Sequence, residues 1–184
     1  MKTPDCNLSR RQFLHSLTGA AAGLVLAAPL RQVFAATADR SLSLFHTHTG
    51  EHLKLTYFSD GLYHAEALKE INHYLRDFRT DEIHPIDARL LDILYTVQNA
   101  CNSNGTFEVI SGFRSPHTNK SLRAQGHGVA EHSLHMEGKA IDVRLTDVDT
   151  AYLKKAAASL KRGGVGYYAQ SNFVHIDTGR LRYW

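Results

Sequence analysis

Three residues of this chain are of a type, and in a setting, to hold a metal ion. Asp142 falls inside the apolar run "AIDVRL", where an ionised carboxylate is costly unless it is paired or metal-bound. His175 falls in "NFVHIDT", a polar residue between Val174 and Ile176 on a buried-looking strand. His135, in "EHSLHMEGKAID", sits on the loop that enters the first of these runs. Two imidazoles and one carboxylate make three ligands and leave a fourth position for water, the arrangement of a catalytic rather than a structural zinc. Zinc there brings the pKa of that water toward neutrality, so that hydroxide can attack a carbonyl. On spacing alone a buried Asp–His ion pair with an unrelated second His explains the same residues equally well.

These residues need strands to present them and a loop to close on them. "SLSLFHTH" and "EHLKLTYF" alternate apolar with polar residues around Thr49–Gly50 and predict a β-hairpin. Ala65, Leu68, Ile71, Leu75 and Phe78 recur at helical spacing, and Leu90, Leu91, Leu94 and Val97 mark a second helix starting near Asp87. "TFEVISG", "KAIDVRL", "GVGYY" and "NFVHIDT" read as strands, "NKSLRAQG" as a short helix, and "DVDTAYLKKAAASLKRG" as a helix ended by Gly163. The expected fold is a single α+β domain, a small antiparallel sheet with flanking helices.

Most other reactive side chains have ordinary explanations. His46, His48 and His52 on the hairpin, His64 and His73 on the first helix, and His84 beside Pro85 are expected to be surface histidines. Cys101 is alone after the N-terminal segment, so no internal disulfide forms there, and its place near a helical apolar face reads as core filling.

The first 35 residues carry a separate message. Arg10–Arg11 with Phe13 and Leu14, the run "HSLTGAAAGLVLAAPL" and the small residues of "VFAATA" resemble an export signal of the twin-arginine type, with cleavage expected after Ala35 or Ala38. The apolar stretch is short and holds Gly19, Gly23 and Pro29, which argues against a stable membrane anchor. The expected partner is the twin-arginine export machinery, and the destination is the periplasm. From position 36 onward, 17 basic residues face 17 acidic ones, so charge gives no support to a nucleic-acid partner.

"SLHMEGKAID", read as Ser-x-His-x-x-Gly-x-Ala-x-Asp, together with "ISGFRSP" and "VHID", resembles the zinc peptidases that include the D-alanyl-D-alanine carboxypeptidases, the VanX-type dipeptidases and the hedgehog fold. Within that group, "HTGE", "GGVGYY" and "NFVHIDTG" make residues 40–184 similar to the YcbK-like murein endopeptidases (MepK). The resemblance implies a hedgehog/D-Ala-D-Ala peptidase-like domain over residues 39–184. It implies zinc as cofactor, with His135, Asp142 and His175 as the metal ligands, and peptidoglycan stem peptides or their crosslinks as substrate. It also matches Arg114 of "SGFRSP" to the arginine that faces the substrate, where a fixed guanidinium holds a carboxylate or an oxyanion. Ser133, Gly138 and Ala140 read as shaping the ligand loop.

One departure concerns the proton. Relatives carry a carboxylate three residues, or a His two residues, before the third ligand; here those positions are Asn172 and Phe173, and neither takes a proton. Asp177 shares a strand face with His175, as a partner of that ligand or as a substitute catalytic base. His132 and His127 are loop alternatives. The sequence therefore predicts a periplasmic zinc-dependent murein endopeptidase. A catalytically silent, zinc-stabilised peptidoglycan-binding module is the runner-up, and a metal carrier using the hairpin histidines a distant third.

Overall fold

Burial alternates along the first strand, β1 (Arg40–His46), which turns Leu42, Leu44 and His46 inward. It pairs antiparallel with β2 (His52–Ser59) across the turn at Thr49–Gly50, as the alternation predicts. The structure is a computed structural model that describes residues 38–126 and 129–184. After β2 come β3 (Leu62–Tyr63), α1 (Ala65–Tyr74), α2 (Ala88–Ala100), β4 (Phe107–Ser111) and α3 (Pro116–Ala124). A 3-10 turn at Leu134–Glu137 leads into β5 (Ala140–Leu145), then α4 (Thr150–Ser159), β6 (Gly164–Tyr168), β7 (Phe173–Asp177) and β8 (Arg182–Tyr183).

Three of the described α-helices, α2, α3 and α4, start where side chains satisfy free backbone N–H groups. Asp87 caps α2 through Arg89 N, Ser115 caps α3 through Thr118 N with Pro116 at its first turn, and Asp149 caps α4 through Ala151 N and Tyr152 N. Leu90, Leu91, Ile93, Leu94 and Val97 give α2 the apolar face that it packs, alongside α4, against the sheet.

The α+β class stands. Among the described residues the sheet is larger than expected: eight strands in the order β3-β2-β1-β4-β5-β7-β6-β8. It is also mixed, because β1 pairs parallel with β4 and β6 parallel with β8. The β1–β4 contact needs the two helices between them as a crossover, which a reading of hairpins alone does not supply.

Register decides which side chains leave the core. Ile141, Val143, Val174, Ile176 and Val165 point into it and are essentially fully buried. Asp142 lies directly opposite His175 on β7, and His175 opposite Gly166 on β6, so these positions share the other face. On the β4 side a bulge between Val109 and Ser111 shifts the pairing so that Ser111 lies opposite Asp142. Without that extra residue Ser111 would share the core face of Phe107 and Val109.

His46 corrects one expectation. It is not a surface residue but 0% exposed, packed edge-on against Tyr74 and Phe78. Its Nδ1 accepts from the backbone N–H groups of His48 and Thr49, and burial, followed by the nearby His48, pushes its pKa down to about 4. His48 and His52 are exposed. Among the described residues no group of three or more metal-competent side chains forms on the hairpin. Cys101 is half-buried against the core, in keeping with packing. The export-signal reading of residues 1–35 and the His127 alternative lie outside the described residues.

Candidate metal centre

The segment "SGFRSP" folds as a bracket around the site. Ser111 ends β4 opposite Asp142, the Gly112 carbonyl faces His135, Phe113 packs into the core, Arg114 enters the cleft, and Ser115–Pro116 begin α3. Opposite it, Ser133 caps the 3-10 turn that carries His135 by accepting from His135 N. Gly138 ends that turn at φ +63, and a Cβ there would stand 2.1 Å from the Pro85 carbonyl oxygen. Glycine is what lets the loop close on the segment before α2.

His135, Asp142 and His175 converge, all buried, with ligand atoms within 4.8 Å of one another. His135 Nε2 lies 3.3 Å from His175 Nδ1 and 3.4 Å from Asp142 Oδ2, and His175 Nδ1 lies 2.8 Å from Asp142 Oδ1. Tetrahedral bonds of about 2.0–2.1 Å hold their ligand atoms roughly 3.3 Å apart, so the set fits a small divalent ion.

The far nitrogens fix the tautomers. His135 Nδ1 is 2.7 Å from the Gly112 carbonyl oxygen, which only accepts, so Nδ1 carries the proton and Nε2 offers its lone pair. His175 Nε2 is 3.0 Å from Asp177 Oδ2, so Nε2 carries the proton and Nδ1 faces inward. Three lone pairs then point at one another, and only a cation between them relieves that. Burial works against ionising Asp142, yet His135 and His175 outweigh it and hold the carboxyl well below its ordinary range. Burial likewise disfavours the His175 imidazolium, but hydrogen bonds to Asp142 and Asp177 raise its pKa to about 9. The centre therefore collects a cation, either a proton on His175 or a metal in its place.

Arg114 is buried beside this cluster and poorly satisfied. Its Nη2 is 3.4 Å from Ser111 Oγ and 3.9 Å from Asp142 Oδ2, its Nη1 is 3.5 Å from Asn119 Oδ1, and its Nε has no partner among the described residues. Burial pushes its pKa down, and Asp142 opposes that. A guanidinium with donors to spare is equipped to grip an anionic group entering the cleft.

The cleft encloses about 390 Å³ and joins His135, Asp142, His175, Arg114, Ser133 and His132. Asp177 does not face it, and its expected role as a substitute base is corrected by position. It lies behind the His175 ring, 0% exposed. Its oxygens accept from Gly164 N, Gly179 N, Arg182 and His175 Nε2. Burial opposes its charge, but His175, followed by the N–H groups of Gly179 and Gly164, holds its pKa down to about 2. Asn172 turns away and accepts from Thr150 Oγ1, while Phe173 stacks on Tyr168 in the cleft wall. The wall also contains Tyr168, Arg182 and Trp184, which sequence reasoning missed. For Arg182 the signal was slight: β8 is two residues long, too short to show an alternation.

Residues 34–184 match the family Peptidase_M15_2, described as peptidoglycan L,D-endopeptidase MepK. The chain is 41% identical over 177 residues to the peptidoglycan L,D-endopeptidase MepK of Escherichia coli K12, covering 96% of this chain and 97% of that protein. It is 38% identical over 178 residues to the probable peptidoglycan L,D-endopeptidase MepK of Haemophilus influenzae, covering 96% and 95%. A solved structure, the L-Ala D-Glu endopeptidase ChiX of Serratia marcescens, aligns over 52% of this chain and 69% of its own, at 19% identity and a TM-score of 0.35.

Proposed function

The chain belongs to the peptidoglycan L,D-endopeptidase MepK family, which makes it a peptidase, and from that premise we propose that it is a zinc-dependent murein endopeptidase of the periplasm, cutting peptide crosslinks of peptidoglycan at a bond between an L- and a D-configured residue. The single observation that carries the reading is the convergence of the His135, Asp142 and His175 lone pairs beside an under-satisfied arginine in one cleft. His135, Asp142 and His175 would hold zinc, which when bound would supply the Lewis acidity to acidify water and polarise a carbonyl.

The remaining work falls to the protein's own groups. Gly112 and Asp177 orient the two imidazoles from behind. Arg114 binds a carboxylate of the stem peptide or the oxyanion that develops at the scissile carbonyl. His132, exposed on the cleft wall, takes the proton of the attacking water and returns one to the leaving amine. Asp142 stays ionised and bound, so it does not compete for that proton.

Arg10–Arg11 and the apolar segment behind them support export by the twin-arginine route, with cleavage after residue 35 or 38. Among the described residues no helix is long and apolar enough to cross a membrane.

The test is incubation of purified protein with crosslinked muropeptides, with and without chelator, and products resolved by mass. Cleavage that chelator abolishes and zinc restores is expected. His135→Ala is expected to lose both zinc content and cleavage, and absence of chelator-sensitive cleavage of every muropeptide would refute the assignment. Replacing Arg10 and Arg11 together by Lys is expected to hold the precursor in the cytoplasm.

A further inference from the structure

We infer that Arg182 is a positioning residue of the metal centre, clamping the Asp177 carboxylate in the orientation in which its Oδ2 faces His175 Nε2 and the imidazole turns Nδ1 toward the other two ligands. The inference rests on the reading of His135, Asp142 and His175 as metal ligands.

Arg182 lies on the edge strand β8, paired parallel with β6 opposite Gly164. Its guanidinium grips Asp177 with both arms, Nη1 to Oδ1 at 3.1 Å and Nη2 to Oδ2 at 2.7 Å. The second of these oxygens is the one that faces His175 Nε2 at 3.0 Å. The arginine and the imidazole therefore share one carboxylate oxygen. The fit leaves no slack, since a Cβ on Gly164 would stand 2.3 Å from Asp177 Oδ2 and 2.6 Å from Arg182 Nη1. Trp184 covers the guanidinium at 5.0 Å and approaches the His175 ring at 5.3 Å.

A carboxylate facing an imidazole can turn about its Cβ–Cγ bond, and the ring that donates to it turns with it. Such a turn would lengthen the contact between Oδ2 and Nε2 and swing Nδ1 away from the other two ligands. A planar, bidentate guanidinium holds both oxygens in the plane where Oδ2 meets Nε2. Gly164 N and Gly179 N reinforce Oδ1 but do not touch Oδ2, so Arg182 is the group that aligns the oxygen His175 uses. An ordinary salt bridge at a sheet edge needs neither the shared oxygen nor the complete burial of its acid.

The test compares wild type, Arg182→Met and Arg182→Lys by two readouts that do not depend on cleavage. The first is zinc affinity by competition with a chromophoric chelator. The second is exchange of the His175 Nε2 proton, followed by 1H–15N correlation in metal-free protein. Arg182→Met is expected to weaken zinc binding by about 10- to 100-fold and to accelerate that exchange at least as much. Arg182→Lys, which keeps the charge but not the fork, is expected to restore part of both. Wild-type affinity and wild-type exchange in a folded Arg182→Met would overturn the inference. Should that variant fail to fold, the same pair of unchanged values in Arg182→Lys overturns it. A wild-type protein that binds no zinc would instead defeat the ligand assignment, while the proton-exchange comparison would still decide the part played by Arg182.

Discussion

Asp177→Asn separates two chemistries that the sequence left side by side. Asp177 accepts five hydrogen bonds: Gly164 N, Gly179 N and Arg182 Nη1 on Oδ1, and Arg182 Nη2 and His175 Nε2 on Oδ2. An amide has one accepting oxygen. Placed at Oδ1 it keeps three of these bonds, but its NH2 then faces two donors. Each charge-assisted bond lost in this way is worth about 1.5–3 kcal/mol, so the variant should lose roughly 3–6 kcal/mol before relaxation. His175 can recover part of that by moving its proton to Nδ1 and accepting from the amide. The recovery costs the site a ligand lone pair, and zinc affinity should fall by about 10- to 100-fold, or roughly 1.4–2.7 kcal/mol. The assay is chelator competition at fixed pH, with kcat measured separately at saturating zinc. A partner of His175 loses affinity first and recovers most of kcat when zinc is in excess. A catalytic base would leave affinity untouched and lower kcat by about 10²- to 10⁴-fold, and that result would refute the geometry argued here.

Other expectations follow from the same site and from the hairpin. His132→Gln should keep zinc and lose about 10²- to 10⁴-fold in kcat, measured on a purified muropeptide; unchanged kcat would remove His132 from proton transfer. Arg114→Met should keep zinc and lose about 10²- to 10³-fold in kcat/KM, and Arg114→Lys should recover little, because an ammonium lacks the planar fork. His46 is buried with its pKa pushed from 6.5 to about 4, so below pH 6.5 the unfolded chain binds a proton that the folded one refuses. Stability should therefore fall as the pH drops from 6.5 to 4, by at most about 3 kcal/mol, and level off below. Urea unfolding of wild type and His46→Asn across that range tests it: the variant, whose amide oxygen replaces the Nδ1 acceptor, should show the shallower dependence.

Much of the site was legible as local pattern. Asp142 and His175 each break an apolar strand, and a strand period of two places them opposite the core residues Val143 and Val174. The helix start at Asp87 follows from capping chemistry, which is local by nature, whereas α3 begins at Pro116, three residues before the expected "NKSLRAQG". The His-to-Asp spacing and "SGFRSP" carried the resemblance for the same reason: each is a short segment whose residues touch within itself. What the sequence determined by itself was thus the identity of the converging residues, the class of fold and the absence of a base at Asn172 and Phe173.

Tertiary structure decided everything that depends on which strands are neighbours. Sequence does not state register. The bulge that turns Ser111 toward Asp142, the parallel pairing that brings β8 beside β6, and the placing of Asp177 behind rather than before His175 all depend on pairings between distant segments. A period of two puts Asp177 on the face of His175. It does not say on which side of the ring the carboxylate lies, or that Arg182 would already hold it. His46 shows the same limit: its burial is set by Tyr74 and Phe78 arriving from another element, so a histidine that looks like surface becomes core. Local chemistry chooses which residues can act; the packing of distant strands assigns each of them a side of the cleft.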